Sequence, residues 1–464
     1  MSSLLTPQAT LLETIAWEAA DGRVEPDLES VLPERPTISL PNLALLLANP
    51  SLELSYIPKS LWIDARMRRT IADWPVIHGG GLDELSARFH VAVGRAMGRS
   101  DPVAVAVSGG LDSMAVLWHA DALCRKEGRR LIAVVADLVD DRGVSSADVV
   151  RRLVSALQIS CDLDALPELG VSATAPPWSP VGPRFDAMPE TCRQMSDRAA
   201  ARGASVVLTG RGSDELLMCS RFTGLDLARR RRYRDLGRYV SDMTRFDGAK
   251  GCVGELVGLA SPRLSPPTSF ALLYAFMWPN AHDPDPGGIL TADLREAAAE
   301  YQREWFAEQR ATLEAHGFDW SKVGARCAVY PRDHIPPAGD LPWTSPFLDS
   351  DFTAYAHGLA LADRYGRTPK HPYHRLKAPV LALFPASLRD SLPTVKQTFA
   401  RACARYSERF LGEPPRRCLE LGLVSERWQA ALEADDRLPP VVHMVETWLA
   451  EALLRGAGVS RDGA

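Results

Sequence analysis

Residues Val103 to Ala115 read VAVAVSGGLDSMA, and this stretch restricts the fold of the chain more tightly than any other. Val103 to Val107 form an unbroken apolar run, long enough for a strand buried on both faces of a parallel sheet. Gly109 and Gly110 follow at once, so the backbone turns sharply and can approach a polyanion without a Cβ in the way. Ser108 and Ser113 supply hydroxyl donors, and Met114 opens a helix whose unpaired N–H groups favour an anion at its N-terminus. Strand, glycine turn and helix in that order make a phosphate loop. Asp112 is its odd member: a carboxylate there repels a phosphate unless a cation stands between them, so Asp112 implies Mg²⁺. The Gly-Lys-Ser/Thr ending of a Walker A loop does not follow.

A second run of the same kind, ASVVLTGRGSDELL from Ala204 to Leu217, places the strand residues Val206, Val207 and Leu208 before Gly210, Gly212, Asp214 and Glu215. Both acidic loops leave strands, and in an open α/β sheet ligands bind where loops leave the strands' carboxyl ends. Asp112 and Asp214 are thus placed to hold one Mg²⁺ between them. The surrounding pattern predicts helices over Leu82–Met97, Met114–Gly128, Ser146–Leu157 and Asp186–Arg202, alternating with strands at Val103–Val107, Leu131–Ala136 and Val206–Leu208. That alternation predicts an α/β fold with a doubly wound parallel sheet, followed beyond about Leu217 by a mainly helical region.

The SGGLDS run resembles the SGGxDS loop of the PP-loop ATP pyrophosphatases, which cleave ATP to AMP and pyrophosphate. The two loops together resemble the synthetase domain of the asparagine synthetase family, where a GxGxDE loop follows about a hundred residues after SGGxDS. Here Asp112 and Asp214 lie 214 − 112 = 102 positions apart. Two further blocks keep the family's order. Ser345-Pro346-Phe347-Leu348-Asp349 matches its PFLD segment, and Phe384-Pro385-Ala386-Ser387 with Lys396-Gln397-Thr398-Phe399 resembles its LPxx…RxKxxF region. The resemblance covers roughly residues 80 to 400.

It implies ATP as substrate with Mg²⁺: a carboxylate attacks the α-phosphate, and an amine then displaces AMP to make an amide. Carried over by position, Ser108, Gly109, Gly110 and Ser113 grip pyrophosphate and Asp112 and Asp214 bind Mg²⁺. Gly210 and Gly212 let the backbone approach the nucleotide, while Glu215 orients its loop or assists the metal. The family's transition-state lysine falls, without gaps, on Tyr373; Lys370 and Lys377 stand on either side and both are candidates. The glutamate that takes the amine's proton is replaced by Pro342, with Asp340 two residues back as a substitute, and the family's GGY is replaced by Met218-Cys219-Ser220. The amine side has diverged.

Those departures fit a stand-alone ATP-dependent amide ligase, such as a tailoring enzyme of specialised metabolism acting on a small acid or a precursor peptide. β-Lactam synthetases and lasso-peptide cyclases are relatives of that kind. An intramolecular macrocyclase, a PP-loop enzyme using a hydrazine or thiol, and a degenerate ATP-binding regulator are the competing readings. The order predicts a proline-rich segment or small domain over 1–80, ending at a His78–Gly81 linker, a synthetase-like domain over 81–410 and a helical extension over 411–464. The family's glutaminase nucleophile, an N-terminal cysteine, is replaced by Met1-Ser2-Ser3. A net charge of −5 and a pI near 6.1 give no case for nucleic-acid binding. Arg229–Arg232 with Arg234 is a local exception, either a solvated helix face or a contact for an acidic peptide or carrier protein. The eight scattered cysteines lack metal-ligand spacing, and no signal or membrane-spanning run is apparent, so a soluble cytoplasmic protein is expected.

Overall fold

The computed structural model describes residues 9–26, 28–48, 61–77, 81–167, 189–219, 223–265, 268, 272, 290–315, 341–408, 415–425 and 458–460. The strands are β1 Ala9–Ala19, β2 Val24–Glu25, β3 Thr37–Ser39, β4 Ala65–Pro75, β5 Val103–Ala106, β6 Leu131–Asp137, β7 Asp162–Pro167, β8 Val207–Leu208, β9 Trp343–Thr344 and β10 Gly458–Ser460. The helices used below are α1 Leu40–Ala48, α2 Leu82–Met97, α3 Leu111–Glu127, α4 Ser146–Ala156, α5 Pro189–Ala201, α6 Ser213–Leu217 and α7 Thr223–Arg229. They continue with α8 Tyr233–Ala260, α9 Ala292–Ala315, α10 Ser350–Gly358, α11 Pro372–Leu376, α12 Ala378–Ala382 and α13 Ala400–Glu408.

Five parallel strands form the central sheet in the order β7-β6-β5-β8-β9. From β5 the chain builds outward through β6 to β7, then returns to the other side of β5 to add β8 and β9. The switch point therefore lies between β5 and β8, which is where such sheets bind ligands. The apolar runs are buried on both faces. Val103, Val105, Ala133, Val135 and Leu208 pack beneath α2 and α3, while Ala104, Ile132, Val134 and Val207 pack against Met195 and Ala199 of α5.

The helix α3 starts at Leu111, three residues before the expected Met114, with Gly110 as its N-cap. Asp112 and Ser113 are thus first-turn residues, and the phosphate loop shortens to the turn between Ala106 and Leu111. Ser145 caps α4 by accepting from the Asp148 N–H at 3.1 Å.

The N-terminal region forms an antiparallel sheet in the order β2-β1-β4. β3 pairs in parallel with β10, so residues 37–39 and 458–460 lie side by side. The Ile77 N–H donates to Ala354 O at 3.1 Å and lays this region against α10. Residues 78–80 of the expected linker, and most of 411–464, lie outside the described residues. No helix among the described residues is long and apolar enough to cross a membrane.

Between α2, α3 and α12 lies a buried histidine. His119 Nε2 donates to Leu383 O at 3.0 Å, so its Nδ1 accepts from the Nδ1–H of His90 at 3.2 Å. Burial, and secondarily His90, push the His119 pKa down to about 3. The ordinary imidazole value is 6.5, so between these values the unfolded chain binds the more protons. Stability is therefore whole above about pH 6.5 and falls as the pH drops toward 3. Urea unfolding at pH 7 and pH 5 should show wild-type stability falling by about 2 kcal/mol more than that of His119→Gln. Equal losses in both proteins would place the acid sensitivity elsewhere.

Candidate active site

The turn after β5 is organised by its own hydroxyls. The Ser108 N–H donates to Ser113 Oγ at 3.2 Å, and Ser113 Oγ donates to Gly110 O at 3.4 Å. Gly109 has φ +78°, and a Cβ there would meet Val149 Cγ1 at 2.8 Å, so both conformation and space demand glycine. Gly110 differs: its nearest neighbour to a built Cβ is Ser108 Oγ at 3.5 Å, an ordinary contact. It stands at the N-terminus of the seventeen-residue α3, which has no side-chain cap among the described residues. An anion is favoured there by the helix's first N–H groups.

The loop after β8 is locked onto this turn. A Cβ at Gly210 would lie 2.8 Å from the Ser113 backbone N and 3.0 Å from the Asp112 carbonyl carbon. Gly212 has φ +77°, and its Cβ would lie 2.6 Å from Leu348 Cδ2. Contacts within the protein are enough to require glycine at both positions. Leu348 belongs to the Ser345–Asp349 block, whose Ser345 Oγ donates to Arg211 O at 2.6 Å and whose Phe347 packs on Phe89 with ring centroids 4.4 Å apart. Asp349 caps α10 by accepting from the Phe352 N–H at 3.1 Å. That block is the wall behind the acidic loop.

The two acidic residues meet at Lys377. Its Nζ lies 2.5 Å from Asp112 Oδ2 and also pairs with Asp214 Oδ1, with only 1 % of the residue exposed. Asp112 Oδ1 accepts from Ser213 Oγ at 2.6 Å, and Asp214 Oδ2 has Lys396 Nζ at 3.4 Å. Burial alone would lower the Lys377 pKa, but Asp112 and Asp214 more than reverse this and hold the ammonium above the usual lysine range. For Asp214, burial raises the pKa while Lys377 and Lys396 lower it, and the net shift is downward. Burial pushes the Tyr373 phenol up to about 12; its ring centroid is 6.0 Å from Lys377 Nζ.

Lys377 reaches the pair because α11 ends and α12 begins around it, with its backbone at φ −117°, ψ 32°. Two residues earlier, Arg375 is fixed to Asp242 of α8 by a buried two-pronged pair at 2.6 and 2.7 Å, with the Tyr365 hydroxyl donating to the same carboxylate at 2.7 Å. Lys370 is brought to a different place. It is exposed, and its carbonyl accepts from Arg375 Nη1 at 2.5 Å. Glu215 lies in α6, but its side chain is outside the described residues, as is all of Asp340. Lys396 and Ser213 join the site without having been singled out as site residues; the KxxF spacing at Lys396 is the one signal that pointed there.

Beside the two loops opens a cavity of about 320 Å³. Ser108, Asp112, Ser113, Gly210 and Arg211 supply its polar lining, and Ala106, Leu138, Met195, Trp343 and Phe399 its apolar lining. The buried Trp343 Nε1 has no hydrogen-bond acceptor among the described residues. An apolar floor next to an uncapped helix N-terminus suits a planar base carrying phosphates. The donor set also suits Mg²⁺, a hard cation that typically takes one or two carboxylates and completes its shell with phosphate oxygens and water. No group of three or more metal-ligating side chains occurs among the described residues, so any such ion would need the phosphates as well.

The family model for asparagine synthase matches residues 84–381, a span that contains both loops, the Ser345–Asp349 wall and Lys377. No curated protein matches the chain.

The two kinds of glycine should separate in experiment. Gly210→Ala forces backbone against backbone and should cost about 1–3 kcal/mol in urea unfolding. Gly110→Ala has room, and should cost less than about 1 kcal/mol while weakening ATP binding measured by calorimetry. ATP affinity left intact by Gly110→Ala would remove the phosphate from that turn.

Proposed function

Because this chain belongs to the asparagine synthase family, whose members are ATP-dependent amide-forming ligases, we propose that it adenylates a carboxylate and transfers the acyl group to an amine. The reading that follows is a tailoring ligase for a small acid or a peptide. The observation that carries it is the Lys377 ammonium held between Asp112 and Asp214 beside an open glycine turn.

In this reading ATP lies with its base in the 320 Å³ cavity and its phosphates at the Ser108–Gly110 turn. An oxygen of the substrate carboxylate attacks the α-phosphorus, the bond to the bridging oxygen breaks, and pyrophosphate leaves. Negative charge grows on the departing phosphates. Ser108, Ser113 and the first N–H groups of α3 hold those oxygens, and Lys377 supplies a positive charge that it shares with Asp112 and Asp214. Mg²⁺ bound by Asp112 and Asp214 would neutralise further phosphate charge. Lys396 is the second cation within reach of Asp214. The amine then attacks the acyl carbon and AMP departs, so most of the catalysis is positioning and charge neutralisation.

The amine side supports a nucleophile other than free ammonia. Pro342 occupies the position of the family's proton-accepting glutamate, and its carbonyl is committed to the Val207 N–H at 3.0 Å as part of the sheet. A base would come from elsewhere, and Asp340, two residues back in the sequence, is the candidate.

The test is ATP–pyrophosphate exchange with Mg²⁺ across amino acids, small acids and short peptides. An active acid should exchange, and both Asp112→Asn and Lys377→Met should lower the rate by at least about a hundredfold. Exchange that survives either substitution would overturn the assignment of those residues. ATP binding with no exchange for any acid would favour the regulator. Product mass then separates cyclisation, which loses one water within one molecule, from joining of two.

A further inference from the structure

The arginine run at 229–232 is not used by the nucleotide site, yet the fold gives it a cavity. This second cavity, of about 750 Å³, shares no lining residue with the first. Its floor is apolar: Leu82 of α2, Leu359 after α10, and Leu381 and Ala382 of α12. Its rim carries Arg230, Arg232, Arg367 and Arg389, against Asp363 as the one acidic lining residue. Asp226, Asp235 and Asp363 pair with these arginines and offset part of their charge, so the rim keeps a net positive sign in a chain of net charge −5.

The guanidiniums are oriented but not used up. Arg232 is the structural one: its Nε pairs with Asp235 at 2.8 Å and its Nη1 donates to Ala362 O at 2.8 Å. The other three bond through Nε alone among the described residues. Arg230 Nε reaches Asp226 at 3.2 Å, Arg367 Nε reaches Asp235 at 2.8 Å, and Arg389 Nε donates to Phe384 O at 3.1 Å. Each is anchored at Nε and offers its paired Nη ends, the geometry that takes a carboxylate in two-pronged fashion.

The backbone adds a second observation. After α7 the chain closes with Arg232 N–H on Leu227 O at 2.9 Å and Arg231 N–H on Ala228 O at 3.0 Å. This helix ending places Arg231 at φ +58°, where glycine is the usual residue. An arginine stands there despite the conformation, between Arg230 and Arg232 in the chain. Arg232 is also the N-cap of α8, which has no side-chain cap, so that helix's first N–H groups add positive partial charge.

We propose that this cavity docks an acidic peptide segment bearing an apolar side chain, with carboxylates on Arg230, Arg367 and Arg389 and the apolar group on the leucine floor. The proposal goes beyond the ligase reading and does not depend on it. A recess ringed by forks from three separate chain segments suits several carboxylates displayed around one anchor. A lipid surface presents its charge as a plane, which this recess does not match.

The experiment is fluorescence anisotropy on the full chain with a fluorescein-labelled (Glu-Glu-Leu)₃ peptide, its glutamine counterpart, and vesicles of phosphatidylglycerol. The acidic peptide should bind, weaken steeply with added salt, and lose at least about tenfold in affinity in the Arg230→Glu/Arg367→Glu protein. Both positions are substantially exposed, and an unchanged thermal midpoint in that variant would show that the fold is intact. Equal binding of the glutamine peptide, or equal binding by the variant, would overturn the proposal. Vesicle binding without peptide binding would overturn it in favour of a membrane contact.

Discussion

A single ammonium between two carboxylates sets the geometry of the switch point. Asp112 stands in the first turn of α3, Asp214 in α6 and Lys377 at the break between α11 and α12, so one contact joins the loops after β5 and β8 to a segment far along the chain. Taking three charges out of bulk water is costly, and such a cluster persists only where the geometry returns the cost. Here it does so through neighbours that have little freedom. Ser213 holds the far oxygen of Asp112, the Gly210 backbone lies against Ser113, and the pair between Arg375 and Asp242 holds α11 against α8. The cluster adds modest stability and a great deal of position.

The glycines carry that constraint through the rest of the site. Gly210 and Gly212 each sit where a methyl group would strike backbone or Leu348, which makes the two loops and the Ser345–Asp349 wall one packed object. Phe347 of that wall stacks on Phe89, and Phe89 lies under the sheet with Val103 and Val105. The cradle is therefore continuous with the core. Moving it would mean moving α2 and α3, and close-packed interiors resist such shifts.

Much of this was legible in the residues. The helix over Leu82–Met97 is found at its predicted bounds, and the strands at Val103 and Leu131 begin where their apolar runs begin, because burial on both faces leaves no polar interruption to blur them. The start of α3 was misjudged by three residues, since the glycine turn is tighter than a loop of that composition suggests and Gly110 itself is the cap. The packing that requires Gly210 and Gly212 was not legible. A glycine next to an acidic loop looks the same in sequence whether it yields space to a ligand or to another backbone. The choice between Lys370 and Lys377 was open for a similar reason: spacing counted along the chain does not register a helix break, and the break at Lys377 is what turns its side chain inward. The prolines of the first eighty residues hid a sheet because those at 26, 33, 36 and 41 lie between or beyond the strands rather than within them.

The two cationic regions differ in physical kind, and that difference bears on how such a protein can change its substrate. Lys377 is buried and fixed by both partners, which offset its charge, and any substitution there disturbs three segments at once. Arg232 apart, the guanidiniums around the larger cavity are held at Nε, each worth little alone and none of them tied to the nucleotide loops. Pro342 is likewise joined to the scaffold through its carbonyl at the sheet edge. Residues joined by mutual close contact must be kept or lost together, whereas residues joined to the scaffold one at a time can be exchanged one at a time. On the proposed reading, the adenylating half is held constant by its own packing, and recognition of the acid, the amine or a partner peptide is free to diverge around it.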